Sequence, residues 1–113
     1  MKVHLIKLNE KYCDAVYNQK KLYEIRLNDR NYEVGDLVVF RPWKDNCDHI
    51  HPLALCLWEI THLTPAREVI KKDLDEKNGQ WVVFGVKKVD EDPETVLDVL
   101  VLDLLLRGLK EDE

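Results

Sequence analysis

Hydrophobic positions along the chain recur with two periods, and each period predicts an element. Val3 to Leu8 alternates as a short strand does, and Asn9 then stands where an N-cap belongs. The segment after it, EKYCDAVYNQKK, places Tyr12, Ala15, Val16 and Gln19 at helical spacing, with Tyr12, Val16 and Leu5 assigned to the core. From Leu22 to Leu27 the alternation returns: Tyr23, Ile25 and Leu27 share one face, Glu24 and Arg26 the other. NDRN and VGD supply turns, with Gly35 free to take positive φ, and LVVF over Leu37–Phe40 reads as the next strand.

The segment RPWKDNCDHIHP has no period and reads as a loop; LALCLWEITHL after it predicts a long apolar strand. Thr64 and Pro65 fit the N-cap and first position of a short helix through AREVIKKDLDEK, ended at Asn78 and Gly79, and WVVFGVKKV predicts a final strand. Asp92 and Pro93 open a last helix, ETVLDVLVLDLLLRGL, with Gly108 as its stop. Between Val96 and Leu106 only Asp98 and Asp103 are polar, so something is expected to cover the second side of this helix. The order of elements predicts an α+β chain: a small β-barrel or curled sheet, helices at its rim, and an extra C-terminal helix.

Composition narrows the class. A chain of 113 residues, 45% hydrophobic and 35% charged, is sized for one soluble domain. We assign residues 1–90 to that domain and 91–113 to a helical extension packed on it or on a partner. No run is long and apolar enough for a membrane span, and the first residues are too charged for a secretory leader, so a cytoplasmic location is expected. Cys13, Cys47 and Cys56 are odd in number and show no CxxC spacing, which fits reduced thiols. The net charge of −5 argues against a protein that coats duplex DNA. It is unevenly spread: residues 1–44 carry nine basic against six acidic side chains, and the rest is strongly acidic.

Chemistry therefore concentrates in the first half. Lys21, Glu24 and Arg26 put a cation, an acceptor and a forked donor within reach of one ligand: Arg26 for a phosphate or base edge, Lys21 for a phosphate, Glu24 for an exocyclic amine. The plain alternative is a structural Glu24–Arg26 ion pair beside a solvated Lys21. Arg30, Arg41 and Lys44 extend the positive strip, and Trp43 beside them is the tryptophan best placed to stack on an unpaired base, whereas Trp58 and Trp81 read as core. Cys47, His49 and His51 alternate in CDHIH, but no second cluster completes a ligand set, so no metal is assigned. His4 and His62 lie in strand contexts.

Positions 19–26, QKKLYEIR, fit the GxKxxExR signature of the ASCH superfamily, and YEIRLNDRNYEVGDLVVF resembles small members of it in which the strand is followed by NDR and VGD. The likeness covers about residues 3–90. It implies a PUA-like β-barrel whose signature residues, here Lys21, Glu24 and Arg26, line a cleft for RNA, a nucleoside or a nucleotide. The basic groups beside Trp43 suit single-stranded RNA better than a duplex, and no cofactor is expected. The first motif glycine is Gln19 in this chain. One branch of the superfamily contains small amidohydrolases acting on N-acetylated cytidine. If this chain were such an enzyme, Glu24 would activate water while Lys21 stabilised the developing charge, or Lys21 would itself take the proton. A third expectation is a protein-interaction role, with residues 94–106 pairing two copies as a homodimer.

Overall fold

In the computed structural model, which describes residues 2–71, 73–89 and 93–106, the elements run β1 (Val3–Asn9), α1 (Glu10–Tyr17), β2 (Tyr23–Leu27), β3 (Leu37–Lys44), β4 (Cys47–Asp48), β5 (Leu57–Pro65), β6 (Trp81–Val89) and α2 (Pro93–Leu106). Two 3-10 turns, Pro52–Leu55 and Ala66–Glu68, flank β5. The fold is α+β. Among the described residues one six-stranded sheet has the order β1-β3-β5-β6-β2, with β4 added beside β3. β1 and β3 are parallel, and the other neighbours are antiparallel.

The sheet curls around a core that includes Ile6, Leu8, Val38, Phe40, Trp58, Ile60, Val82 and Phe84, plugged from one end by Cys13 and Val16 of α1 and by Leu53. Trp58 is fully buried, its ring 6.2 Å from that of Phe40. Alternate residues of the same strands face outward. There Leu5, Leu37, Val39, Leu57 and Val89 form a second cluster with Val96 and Leu100 of α2. The terminal helix thus covers the convex side of the sheet with one of its faces. Leu97, Val101, Leu102 and Leu105 remain exposed on α2, and a homodimer through residues 94–106 would have to use them. The N-cap expected at Asp92 and the stop expected at Gly108 lie outside the described residues.

The expected barrel is not closed. Among the described residues no ladder joins the edge strands β1 and β2. The physical reason lies in the seam itself. Arg26 of β2 donates through Nη2 to the Lys7 carbonyl of β1 at 2.5 Å, so an edge acceptor that a closing strand pair would use is taken by a side chain.

Four boundaries differ from the sequence expectation. β3 continues through Pro42 to Lys44, because Pro42 stands at the sheet margin, where its missing N–H is tolerated and its carbonyl accepts from the His49 N–H at 3.1 Å. The supposed loop therefore contains a strand end and the β4 hairpin, and the long strand expected from Leu53 starts only at Leu57, because Pro52–Leu55 forms a 3-10 turn. Among the described residues of 66–77 no helix forms beyond the turn at Ala66–Glu68: Thr64 and Pro65 are still strand, opposite Val83 and Val82, so neither is available to start a helix. Finally, α1 stops at Tyr17, earlier than its periodicity suggests.

Candidate functional site: a cleft at the open seam

The cleft is built by two connections. β1 passes directly into α1, whose N-cap Asn9 accepts from the Lys11 N–H at 3.0 Å, so the helix leaves the sheet at its open edge. α1 then ends in a Schellman arrangement: the Gln19 N–H donates to the Val16 carbonyl at 2.9 Å and the Lys20 N–H to the Ala15 carbonyl at 2.8 Å. Gln19 occupies the left-handed position, with φ of 59°. This reversal delivers Lys21 to the start of β2, and β2 lies against β6 with Glu24 opposite Phe84 and Arg26 opposite Val82.

The usual sense of strand amphipathicity is inverted in β2. Glu24 is only 5% exposed, while Tyr23 and Ile25 are 49% and 41% exposed. The buried carboxylate is held from both sides: Lys21 Nζ lies 2.5 Å from Oε1, and Arg26 Nε donates to Oε2 at 3.0 Å. Lys21 also donates to the Tyr23 carbonyl at 2.8 Å. Burying a carboxylate is tolerable only with such partners, and stripping one of them would cost about 3–5 kcal/mol. Two cations against one carboxylate leave the cluster net positive.

These groups form one wall of a cleft of about 660 Å³ between β1 and β2, a volume suited to a small organic ligand. Lys7 and Asn9 line it from the β1 side, and Arg30 and Asp29 from the turn after β2. Tyr12, 41% exposed, stands at the cleft with Tyr23, and the Lys21 ammonium lies 5.5 Å and 4.6 Å from the two ring centres. Tyr12 is thus not a core residue. Cys13 and Val16 are the buried residues of α1, and taking Cys13 as an apolar position would have turned the helix by the residue needed to expose Tyr12. Trp81 lines the cleft too, its indole N–H donating to the Asp75 carbonyl at 2.7 Å.

Lys21, Glu24, Arg26 and Arg30 come together here; Arg41, Trp43 and Lys44 do not. Phe40 faces the core and Val39 faces α2, so Arg41 and Trp43, in step with Val39, lie on the convex side of the sheet. Trp43 sits between cations there: Lys7 Nζ is 4.3 Å and the Arg41 guanidinium 5.0 Å from its ring centre. Arg41 grips Asp48 with Nε and Nη2 at 2.6 Å and 3.1 Å, and that guanidinium holds the Asp48 carboxyl below its ordinary pKa. Lys44 is exposed at the end of β3.

The histidines serve the framework. His51 accepts from the Leu53 N–H at 3.0 Å through Nδ1, which leaves Nε2 as the donor to Asp14, 2.8 Å away. That fastens α1 to the 3-10 turn, while the Cys47 thiol donates to the Lys44 carbonyl at 3.2 Å. Asp36, buried in the turn before β3, accepts from His4 Nε2 at 2.8 Å and from the Lys2 and Glu33 N–H groups at 3.0 Å each. Burial alone would raise the Asp36 pKa, but these donors outweigh it and hold it below the ordinary value. Burial lowers the His4 pKa, outweighing the bond to Asp36. Burial likewise pushes the Cys13 thiol up to about 11.

Among the described residues no helix is long and apolar enough to cross a membrane. The chain is 48% identical over 42 residues to the "Uncharacterized 12.9 kDa protein in GpA 3'region" of Escherichia phage P2, a match spanning 37% of this chain and 38% of the phage protein. In fold it is similar to the crystal structure of hypothetical protein PH0355, with a TM-score of 0.52 and 18% identity over 79% of this chain and 100% of that one. Residues 3–86, which contain both walls of the cleft and its ionic triad, match the family described as "Domain of unknown function (DUF3850)", and the chain belongs to that family.

Proposed function

We propose that the chain is a binding module of the PUA-like ASCH kind, which holds single-stranded RNA or a nucleotide in the seam between β1 and β2. The observation that carries this reading is the Lys21–Glu24–Arg26 triad: a buried carboxylate clamped by two cations on the wall of a ligand-sized cleft. A carboxylate so placed fixes the two cations in position, and their surplus charge is matched by a phosphate. Tyr12 and Tyr23 at the cleft, with Lys21 between them, add faces on which a base stacks. Arg30 belongs to the same cleft, whereas Arg41, Trp43 and Lys44 would contact only a longer strand that crosses the β1 edge. Both oxygens of Glu24 already accept from cations, an arrangement that favours holding a ligand over activating water.

The test is titration of short single-stranded RNA by fluorescence anisotropy at low and moderate salt. Lys21→Ala and Arg26→Ala are each expected to weaken binding about tenfold and to lower the salt slope by roughly one phosphate contact. Equal affinity and equal slope in both variants and the parent protein would overturn the assignment of the cleft.

A further inference from the structure

The unpaired edges of β1 and β2 face the same cleft, and the ladder registers decide which main-chain groups they present to it. In an antiparallel pair, alternate residues exchange both hydrogen bonds with the partner strand, and the residues between them point both groups the other way. The Val86 N–H donates to the Leu22 carbonyl at 3.0 Å, and the Asn28 N–H to the Gln80 carbonyl at 2.7 Å, so the even-numbered residues of β2 bond to β6. The N–H and C=O of Tyr23, Ile25 and Leu27 therefore point to the open edge. On the other side, the Leu37 N–H donates to the Lys2 carbonyl at 2.8 Å, which commits the even-numbered residues of β1 to β3 and leaves Lys7 facing the seam.

Side chains confirm this parity at two places. Lys21 caps the Tyr23 carbonyl and Arg26 caps the Lys7 carbonyl. Between these caps lies Ile25, whose N–H and C=O have no strand beside them among the described residues and whose residue lines the cleft. The pair offers one donor and one acceptor, side by side, in the cleft that Tyr12 and Tyr23 also line. A nucleobase that carries an amine next to a ring nitrogen presents the complementary acceptor and donor on its Watson–Crick edge. That edge is free only in an unpaired base.

We propose that the cleft selects an unpaired adenine or cytosine by pairing its Watson–Crick edge with the main chain of Ile25, while Tyr12 or Tyr23 covers the base and Lys21 and Arg26 take its phosphate. This rests on the nucleotide-binding reading above and adds the part of the ligand that gives specificity. It also gives a reason for the inverted face of β2: with Glu24 and Arg26 turned inward, Ile25 has its side chain outside and only its main chain is offered at the seam.

The experiment is calorimetric titration of the full chain with adenosine and cytidine 5′-monophosphates, with 1-methyladenosine and 3-methylcytidine 5′-monophosphates, and with ribose 5-phosphate. The unmodified nucleotides are expected to bind about tenfold more tightly than ribose 5-phosphate, the gain that one stacked and paired base contributes. The methylated nucleotides, whose ring nitrogen is blocked, should fall back towards the sugar phosphate. Ile25→Pro, which removes the free-edge N–H at a position where an edge strand accepts proline, should abolish the difference between methylated and unmodified ligands. Thermal melting verifies that this variant folds, and if it does not, the ligand series decides alone. Equal binding of methylated and unmodified nucleotides would overturn the base-reading inference while leaving the phosphate grip intact. Absence of binding by every one of these ligands would overturn both.

Discussion

Gln19 holds the least comfortable backbone position at the entrance to the site. A side chain at φ of 59° costs about 1–2 kcal/mol relative to glycine, and here it has to be borne, because the left-handed turn is what closes α1 and aims Lys21 at Glu24. Gln19→Gly should raise stability by about 0.5–1 kcal/mol after the greater freedom of glycine in the unfolded chain is allowed for, and Gln19→Ala should not. Chemical denaturation of the two variants beside the parent protein checks this. A second prediction concerns His4 and Asp36. Both pKa values are lowered in the fold, so both groups contribute stability that is complete above their unfolded values and is lost as pH falls through the folded ones. Stability should therefore decline below pH 6.5 as His4, facing Asp36, Lys2 and Arg30, is forced to take a proton, and again below pH 3.8 as Asp36 does. His4→Gln keeps an N–H donor for Asp36 and should remove the first step of the decline, which denaturation midpoints across that range would reveal.

At the scale of elements, the sequence conveys periods more surely than it conveys which face is inside. Alternation in LYEIRL correctly groups Glu24 with Arg26, and helical spacing correctly starts α1 at the Asn9 cap. Nothing in the alternation says that the charged face of β2 is the buried one, since that depends on the β1 edge across the seam, which supplies Lys7, and on Lys21 arriving from the helix end. Tyr12 was lost for a related reason, its phase being set by the tertiary burial of Cys13. The cations Arg41 and Lys44 are near Arg26 in charge pattern yet lie away from the cleft, Arg41 because its strand parity turns it to the convex side and Lys44 because it stands exposed at the end of β3. Boundaries failed where pairing overrode local propensity: Pro42 is carried into β3, and Thr64 and Pro65 into β5, by the strands beside them. The bulge between Ile60 and His62, opposite Gly85, is likewise absent from the alternation of β5.

For the whole molecule, the curled sheet has an inside filled by its own side chains and an outside that carries an apolar patch where α2 lies. Leu5, Leu37, Val39, Leu57 and Val89 form a continuous patch on four strands, and Val96, fully buried, sits on it with Leu100. The family match ends at residue 86, before this helix begins, yet the convex face it covers belongs to the matched strands. α2 is on this account a structural part of the fold, and residues 1–90 should not be self-sufficient. Full burial of Val96 contributes about 1.5–3 kcal/mol and the partial burial of Leu100 somewhat less, and removing the helix also returns the patch beneath it to water. Truncation after residue 90 should therefore lower stability by about 3–6 kcal/mol, a large share of what a domain of this size possesses. It should also expose a surface that binds a hydrophobic dye. The cleft lies at the opposite, open side of the sheet, so whatever truncated protein remains folded should retain the ligand affinity of the full chain. A melting temperature unchanged by the truncation would show the helix to be an appendage instead, and loss of affinity in the folded fraction would show that the seam depends on the convex face for its shape.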